Sequence, residues 1–216
     1  MRALVVHCHP CPDSLSGAVN AAVCEALAAR GDAVDLLDLY AGGFDPAMSR
    51  EEWLGYHDEA ANLRPVRPHA ERVARADALL FTYPTWWFGP PAMLKGWLER
   101  VMVPGFAFGM PTADRGPRPG LTHIRRLGVF TTCGATWTMS HLVGMPGRRM
   151  LLRGLRANCH PAVRTAYHAL YKIDTAPEAA RRAFLDAIPK RVDRLMGASR
   201  APTRAASLAR ERLGRA

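Results

Sequence analysis

Short apolar segments alternate with longer amphipathic segments along most of this 216-residue chain. Five apolar segments have the length and the β-branched or aromatic content of buried strands: residues 2–7, 33–39, 78–81, 126–132 and 163–170. Segments with helical spacing follow at 18–27, 68–76, 91–102, 140–155 and 177–196, and a further helix is expected at 51–63. We expect an interruption of the 140–155 helix near residues 144–147 and a kink or an end of the last helix at Pro189. This alternation predicts an α/β fold of three layers around a five-stranded parallel sheet.

The length and composition of the chain indicate one folded domain. A chain of 216 residues with 49% apolar content suits one sizeable core, which we expect over residues 1–196. Residues 197–216 form a basic segment with too little apolar surface to fold alone, and we expect a mobile tail there. No apolar run reaches the length of a membrane span, and residues 1–6 do not resemble a signal peptide. We therefore expect a cytoplasmic protein that is not an integral membrane protein.

The net charge of +10 raises the possibility of nucleic-acid binding. The arginines are scattered, however, and no basic run is interleaved with stacking aromatic residues. We therefore expect no nucleic-acid partner, and an overall arginine-rich composition, or attraction of anionic ligands, explains the charge better.

The cysteines indicate neither a disulfide framework nor a metal site. There are five of them, an odd number, at Cys8, Cys11, Cys24, Cys133 and Cys159. Cys8 and Cys11 have C-x-x-C spacing, but Cys8 ends a predicted strand and Pro12 delays the helix that a reactive thiol would need. No second C-x-x-C completes a zinc site, so no metal is predicted.

Hydroxyl side chains follow the first predicted strand. Ser14 and Ser16 lie at the expected start of a helix, in the loop that begins at His9. Hydroxyls and free N–H groups at a helix start suit a phosphate, although ordinary capping by Asp13, Ser14 or Ser16 is the alternative. Neither G-x-G-x-x-G nor a P-loop motif is present, so neither of those nucleotide sites explains the segment.

Three adjacent aromatic residues, Trp86, Trp87 and Phe88, follow the third predicted strand. Two prolines and a glycine around them predict a loop over residues 83–90, which ends the strand at Phe81. Large rings on a loop can cover a flat apolar ligand, and packing in the core or at a subunit interface is the alternative. In the helix that follows, we expect Leu94, Trp97 and Leu98 only to bury the helix.

A third unusual loop, residues 131–134, follows the fourth strand and is rich in hydroxyl and amide groups. A flavodoxin-like strand order, 2-1-3-4-5, brings the carboxyl ends of strands one, three and four to the same edge, at the switch point where ligands bind. A phosphate site, an aromatic wall and a loop of hydrogen-bond donors together predict a flavin site.

The pattern P-x-W-W-F-G-x-P-A-x-L-K-G-W-x-E-R-V over residues 84–101 closely resembles the central motif of the NAD(P)H:quinone oxidoreductase family, which has the flavodoxin-like fold. The segments 3–6, 38–40, 105–108 and 131–134 match the same family in order. The resemblance covers about the first two thirds of the chain.

Membership of that family would imply a flavoprotein that uses NAD(P)H. The resemblance implies FAD, with FMN as the alternative, and hydride transfer by a ping-pong mechanism to a quinone or a similar small acceptor. It also implies a homodimer with the pocket across its interface, which would give Phe106, Phe108 and the arginine- and methionine-rich region 145–153 a burial partner. The implied flavin-binding residues are His9, Ser14, Leu15 and Ser16 at the phosphates, Pro84, Thr85, Trp86, Trp87 and Phe88 at the ring, and Thr131, Thr132, Cys133 and Gly134 at the pyrimidine end.

The sequence also departs from the family pattern. Met139 and Met145 stand where the vertebrate enzymes have a tyrosine and a histidine that relay a proton, and Cys133 replaces a glycine. We therefore assign no catalytic residue from the sequence. A flavin-binding ancillary subunit of a membrane transport system, with little turnover, is the alternative function, and a one-electron carrier is disfavoured because such carriers are usually acidic.

Overall fold

A computed structural model describes residues 1–197. The strands of the main sheet and the helices alternate as predicted. The elements are β1 Arg2–His7, α1 Leu15–Ala29, β2 Ala33–Asp38, α2 Arg50–Leu54, α3 Arg67–Ala74, β3 Ala78–Thr85, α4 Ala92–Val101, β4 Phe108–Gly109, β5 Arg118–Pro119, β6 Arg126–Cys133, α5 Trp137–Leu142, α6 Pro146–Arg149, β7 Arg164–Leu170, α7 Glu178–Asp186 and α8 Ile188–Met196. Apart from Gly197, the predicted tail at 197–216 lies outside the described residues.

The main sheet has five parallel strands in the order β2-β1-β3-β6-β7. Numbered among themselves in chain order, these strands have the predicted order 2-1-3-4-5, and the flavodoxin-like topology is confirmed. Because all five strands run the same way, the carboxyl ends of β1, β3 and β6 meet at one edge of the sheet.

Helices cover both faces of this sheet. Along β1, Leu4 and Val6 enter the core beneath α3 and α4, whereas Ala3 and Val5 enter the core beneath α1, α7 and α8. All four side chains are fully buried, which is why the strand reads as a continuous apolar run rather than as an alternating one. The two cores give the expected three layers.

The predicted end of the third strand at Phe81 is wrong, because β3 continues through Pro84 to Thr85. β6 pairs with β3 along this extension, with Thr85 opposite Cys133. The carbonyl group of Thr82 accepts a hydrogen bond from Cys8 N–H, so the backbone polar groups of Thr82 face β1. Pro84, two residues further along β3, turns its backbone to the same side. β1 has ended at His7 by then, so the N–H group that proline lacks has no partner to lose.

Two helix predictions are corrected. Instead of a helix over 51–63, only α2 forms, with a capping box between Ser49 and Glu52 and no buried residue. Because the segment 51–63 lacks an apolar face, a longer helix there would gain little stability from packing. The predicted helix over 140–155 begins earlier, at Trp137, and its interruption lies at Met145, within the predicted 144–147. Beyond it the chain continues as α6, a π-helical turn at Met150–Gly154 and a 3₁₀ turn at Leu155–Asn158 instead of regular α-helix.

Two other irregular regions agree with the sequence. The last helix divides into α7 and α8, and Pro189 occupies the first turn of α8, as the predicted break required. The glycine- and proline-rich loop over 104–120 contains the short antiparallel pair β4–β5, and Phe106 and Phe108 pack against the core. Within residues 1–197, no helix is long and apolar enough to cross a membrane.

Candidate functional site

A cavity of about 500 Å³ lies at the carboxyl edge of the sheet. Every predicted site residue except Thr131 lines it, together with three residues that the sequence did not indicate. The lining residues are His9, Ser14, Leu15, Ser16, Pro84, Thr85, Trp86, Trp87, Phe88, Thr132, Cys133, Gly134, Ala135, Ile173 and Asp174. The strand order therefore brings the three unusual loops to one site, as predicted from the sequence.

The β1–α1 loop presents free hydrogen-bond donors at the start of α1. Ser14 is the N-cap, and its hydroxyl accepts the N–H of Gly17 at 3.1 Å. The N–H groups of Leu15 and Ser16, and the Ser16 hydroxyl, have no partner within residues 1–197. Ser14 therefore caps the helix, whereas the donors at Leu15 and Ser16 stay available for a ligand.

Gly17 is required for this loop to close on the helix. A Cβ atom at this position would lie 1.8 Å from the carbonyl oxygen of Pro12. At the beginning of the same loop, His9 Nδ1 accepts the N–H of Cys11 at 3.0 Å. The His9 ring lies 6.1 Å from the ring of Trp86, centroid to centroid, so the first loop contacts the aromatic loop directly.

The aromatic loop is a tight two-residue turn. Trp86 and Gly89 form reciprocal backbone hydrogen bonds of 3.0 Å, and the two residues between them have positive φ, 48° at Trp87 and 63° at Phe88. This is the φ pattern of a type I′ turn, which normally uses asparagine and glycine. Trp87 lies at the tip of this turn and is 95% exposed, which excludes the alternative that its ring fills the core.

Among the predicted site residues, Thr131 does not line the cavity. Its side chain is buried on β6, and its Oγ1 lies 2.9 Å from Oγ1 of Thr85 on β3. Thr85 does line the cavity. Thr131 therefore holds a cavity residue from behind, and its own contact with a flavin stays a prediction.

The β7–α7 loop supplies two of the residues that sequence reasoning missed. Ile173 N–H donates to Cys133 O, and Lys172 N–H donates to Ala135 O, both at 3.1 Å, so this loop is bound to the loop after β6. A Cβ atom at Gly134 would lie 2.8 Å from Asp174 Oδ2, so glycine there lets the carboxylate approach. In a parallel sheet, the loop after the fifth strand lies at the same edge as the loops after the other strands. The position of Ile173 and Asp174 shortly after that strand could therefore have indicated them as site residues.

The ionisable side chains that line the cavity are His9, Cys133 and Asp174. Met139 and Met145 do not line it, and both lack an ionisable group. Behind Phe88, a narrow cleft brings together Tyr83, Tyr167 and Tyr171. Burial raises the pKa of all three tyrosines, and each therefore keeps its proton at neutral pH.

The C-x-x-C pair lies outside the cavity. Cys8 is buried, and burial raises the pKa of its thiol to about 12, whereas Cys11 is exposed. A thiol with such a pKa forms almost no thiolate at neutral pH, which opposes a dithiol redox role. Residues 1–197 contain no cluster of side chains suited to a metal ion.

Comparison with known proteins agrees with this architecture. A family model described as a flavodoxin-like fold matches residues 1–186, and the chain belongs to this family. It is 34% identical over 163 residues to NAD(P)H dehydrogenase (quinone) 1 of Rattus norvegicus, a match that covers 68% of this chain and 58% of that protein. The chain thus spans little more than half the length of the curated relatives it matches.

Solved structures give a fuller match. NAD(P)H:quinone oxidoreductase from Methanothermobacter marburgensis is 26% identical with a TM-score of 0.76, and the match covers 91% of this chain and 98% of that one. A Streptococcus mutans protein, Smu.1420, is 27% identical with a TM-score of 0.79, covering 90% of this chain and 100% of that one. The resemblance to the quinone oxidoreductase family that the sequence motifs indicated is confirmed.

Proposed function

We propose that this protein is an NAD(P)H-dependent flavoprotein oxidoreductase that reduces quinones or similar small acceptors by two electrons. The observation that carries the proposal is the single cavity onto which the three predicted loops converge. The named activities of the relatives support the same reaction class. Donor and acceptor would occupy this cavity in turn, which is the ping-pong order.

The chemistry of the lining residues fits a flavin. The free N–H groups of Leu15 and Ser16 suit a phosphate at the start of α1, and the wall opposite them is aromatic. Gly134 and Ala135 have N–H groups without a partner in residues 1–197, and these suit an electronegative ring edge. The Asp174 carboxylate can accept hydrogen bonds from ligand hydroxyl or imide groups. Thirteen residues were proposed from the sequence, and all but Thr131 line the cavity.

A bound flavin would supply the capacity to accept and return a hydride. The protein would contribute position and electrostatics. Phe88 and Trp86 would hold a flat ring against the loop, and the amide groups at 134–135 would favour negative charge at the ring edge beside them. We propose FAD as the cofactor, with FMN as the alternative, on the resemblance alone.

We further propose that the protein is a homodimer. Exposed apolar side chains cluster on and beside α5, with Trp137 at 58%, Leu142 at 77% and Val143 at 43% exposure. α5 begins directly after the cavity-lining loop, so a second copy on this surface would border the cavity. Light scattering should give twice the chain mass, Leu142→Glu should reduce it, and Leu54→Glu on the remote α2 should not.

One experiment tests the central proposal. The purified protein is denatured, the released ligand is identified by mass and visible absorbance, and NADH or NADPH oxidation is then followed with menadione. We expect a flavin, FAD rather than FMN, and parallel double-reciprocal plots at varied menadione. Protein that binds no flavin when it is supplied, and shows no flavin-dependent oxidation, would overturn the proposal.

A matched pair of variants locates the activity. Trp87→Ala should weaken flavin binding, whereas Trp53→Ala, at an exposed tryptophan on α2, should not.

The alternative function, as an ancillary subunit of a membrane transport system, would use the basic tail as its docking segment. Apart from Gly197, that tail lies outside the described residues. Location in the cytoplasm stays a prediction.

A further inference from the structure

A second cavity, of about 210 Å³, lies beside the first and has a cationic wall. Arg148, Arg149 and Arg153 line it, and none of the three forms an ion pair within residues 1–197. We call it the arginine pocket. Three uncompensated guanidinium groups around one small cavity repel each other and favour occupation by an anion.

The spacing of these residues explains why they share one wall. Met145, Arg148, Arg149, Leu152 and Arg153 all line the pocket, at the separations i, i+3, i+4, i+7 and i+8 of a single helical face. A face at this spacing is usually apolar and turned to the core. Here it is arginine-rich, and the π-helical turn at Met150–Gly154 continues it beyond α6.

Contacts within the pocket orient its cationic groups. The guanidinium of Arg148 lies over the Tyr167 ring, 5.4 Å from its centroid. A Cβ atom at Gly144 would lie 3.2 Å from Nη1 of Arg149, so that guanidinium folds over the bare backbone of a glycine. His141 Nδ1 donates to the Trp137 carbonyl at 2.9 Å, which leaves its Nε2 available to the pocket.

The arginine pocket adjoins the cavity of about 500 Å³ at the carboxyl edge of the sheet, which we call the large cavity, through a shared wall. The narrow cleft between them is bounded by Thr85, Phe88 and Cys133 of the large cavity and by Met145 and Arg148 of the arginine pocket. The cleft itself, at about 10 Å³, is too small for a ligand group. A substrate that uses both sites must therefore extend over this wall, with its reactive ring at one end and its anionic group at the other.

We propose that the arginine pocket binds a phosphate group of the nicotinamide nucleotide while its ring occupies the large cavity. This inference rests on the proposed function, since it names how that donor is held. Guanidinium groups match phosphate oxygens in pairs, and the nucleotide carries its phosphates at a distance from the reacting ring. Either the pyrophosphate, present in NADH and NADPH, or the 2′-phosphate of NADPH could be the group bound.

The first test measures binding without turnover. Adenosine 2′,5′-bisphosphate and adenosine 5′-monophosphate are titrated calorimetrically into the parent, into Arg149→Gln/Arg153→Gln, and into the control Arg67→Gln/Arg75→Gln. The control residues are exposed at the two ends of α3, Arg67 as its first residue and Arg75 as its C-cap, they line neither cavity, and the net charge changes equally. We expect about a tenfold or greater loss of bisphosphate affinity in the pocket variant only, since each arginine contributes a charge-assisted hydrogen bond.

The second test is steady-state kinetics of the flavin-loaded protein with NADPH and NADH. A rise in KM of about tenfold for NADPH alone assigns the pocket to the 2′-phosphate, and an equal rise for both donors assigns it to the pyrophosphate. Unchanged KM values together with unchanged bisphosphate affinity overturn the inference. If the parent oxidises neither donor while the bisphosphate binds and responds to the substitutions, the proposed function fails and the anion pocket stands.

Discussion

Trp86 and Gly89 hold each other through two backbone hydrogen bonds of 3.0 Å, and this pair forces Trp87 and Phe88 into left-handed conformations. Residues with large side chains rarely adopt that conformation, and each such residue costs roughly 1–3 kcal/mol. The strain lies at the wall of the candidate flavin cavity rather than at a random surface turn. The location of the strain therefore supports a ligand-binding role for the two rings.

Replacing the strained pair with residues that prefer the turn should separate stability from binding. In Trp87→Asn/Phe88→Gly, the free energy of unfolding of the flavin-free protein should rise by about 1–2 kcal/mol, because the turn is relaxed. Flavin affinity should fall by about tenfold or more, because two contact rings are lost. Urea unfolding and fluorescence titration measure the two effects. Unchanged flavin affinity would indicate that the two rings pack at a subunit interface instead of binding the flavin.

Trp97 should show the opposite behaviour. Its side chain is fully buried, it packs edge-on against Phe81 at 6.3 Å, and its Nε1 donates to His69 Nδ1 at 3.3 Å. Trp97→Ala should lower the free energy of unfolding by about 3–5 kcal/mol, because a large cavity is created. The fraction that stays folded should bind flavin within about twofold of the parent. A large loss of flavin affinity without destabilisation would contradict the assignment of Trp97 to packing.

The two serines at the start of α1 should respond differently to the same substitution. Ser14→Ala removes the cap of Gly17 N–H and should cost about 1 kcal/mol of stability. Ser16→Ala removes a hydroxyl with no partner in the described residues, so stability should be nearly unchanged while flavin affinity falls by about tenfold. Thermal unfolding of the flavin-free proteins and flavin titration distinguish them. Equal effects of the two substitutions on flavin affinity would argue against the division of roles.

Gly134 and Asp174 should behave as a coupled pair. In Gly134→Ala the new methyl group would approach Asp174 Oδ2 to 2.8 Å, so the two loops must separate and flavin affinity should fall. Asp174→Ala provides room, and the double variant should recover part of that loss, with a coupling of about 0.5–3 kcal/mol in a double-mutant cycle. Additive effects would show that the two loops do not press on each other at this point.

Stability should fall in mild acid. Burial lowers the pKa of His7, His69 and His168 in the folded protein, so the unfolded chain binds more protons once the pH drops below about 6.5. The free energy of unfolding should therefore be constant in this respect above about pH 6.5 and decrease as the pH falls towards the lowered pKa values. Urea unfolding between about pH 5 and about pH 7.5 measures the slope. His7→Gln should reduce it, with exposed His57→Gln as the control for the loss of a histidine.

Much of the fold follows from local sequence. The apolar run at Leu4–Val6 needs cover on both faces, and repetition of such runs between helical segments leads to a doubly covered parallel sheet. The strand order was predicted from the three unusual loops, because the flavodoxin-like order 2-1-3-4-5 places them around the switch point of the sheet. The same logic predicts from the sequence alone that Ser16, Phe88 and Gly134 share one site.

Other features depended on partners that are distant in sequence. β3 continues through Pro84 because β6 is beside it and β1 is not. Thr131 turned out to be buried because the register directs its hydroxyl to Thr85. Asp174 reaches the cavity because two backbone hydrogen bonds join its loop to residues 133–135. None of these features is visible in local residue preference.

The sequence by itself determined the class of fold, the strand order, and the three segments that form the candidate flavin site, since burial and periodicity act over a few residues. Only the tertiary structure decided which residue of each segment faces the cavity, how Trp87 and Phe88 are held, and that Arg148, Arg149 and Arg153 surround a second cavity. Those features depend on register and on loop-to-loop hydrogen bonds, and both are settled only when distant parts of the chain pack together.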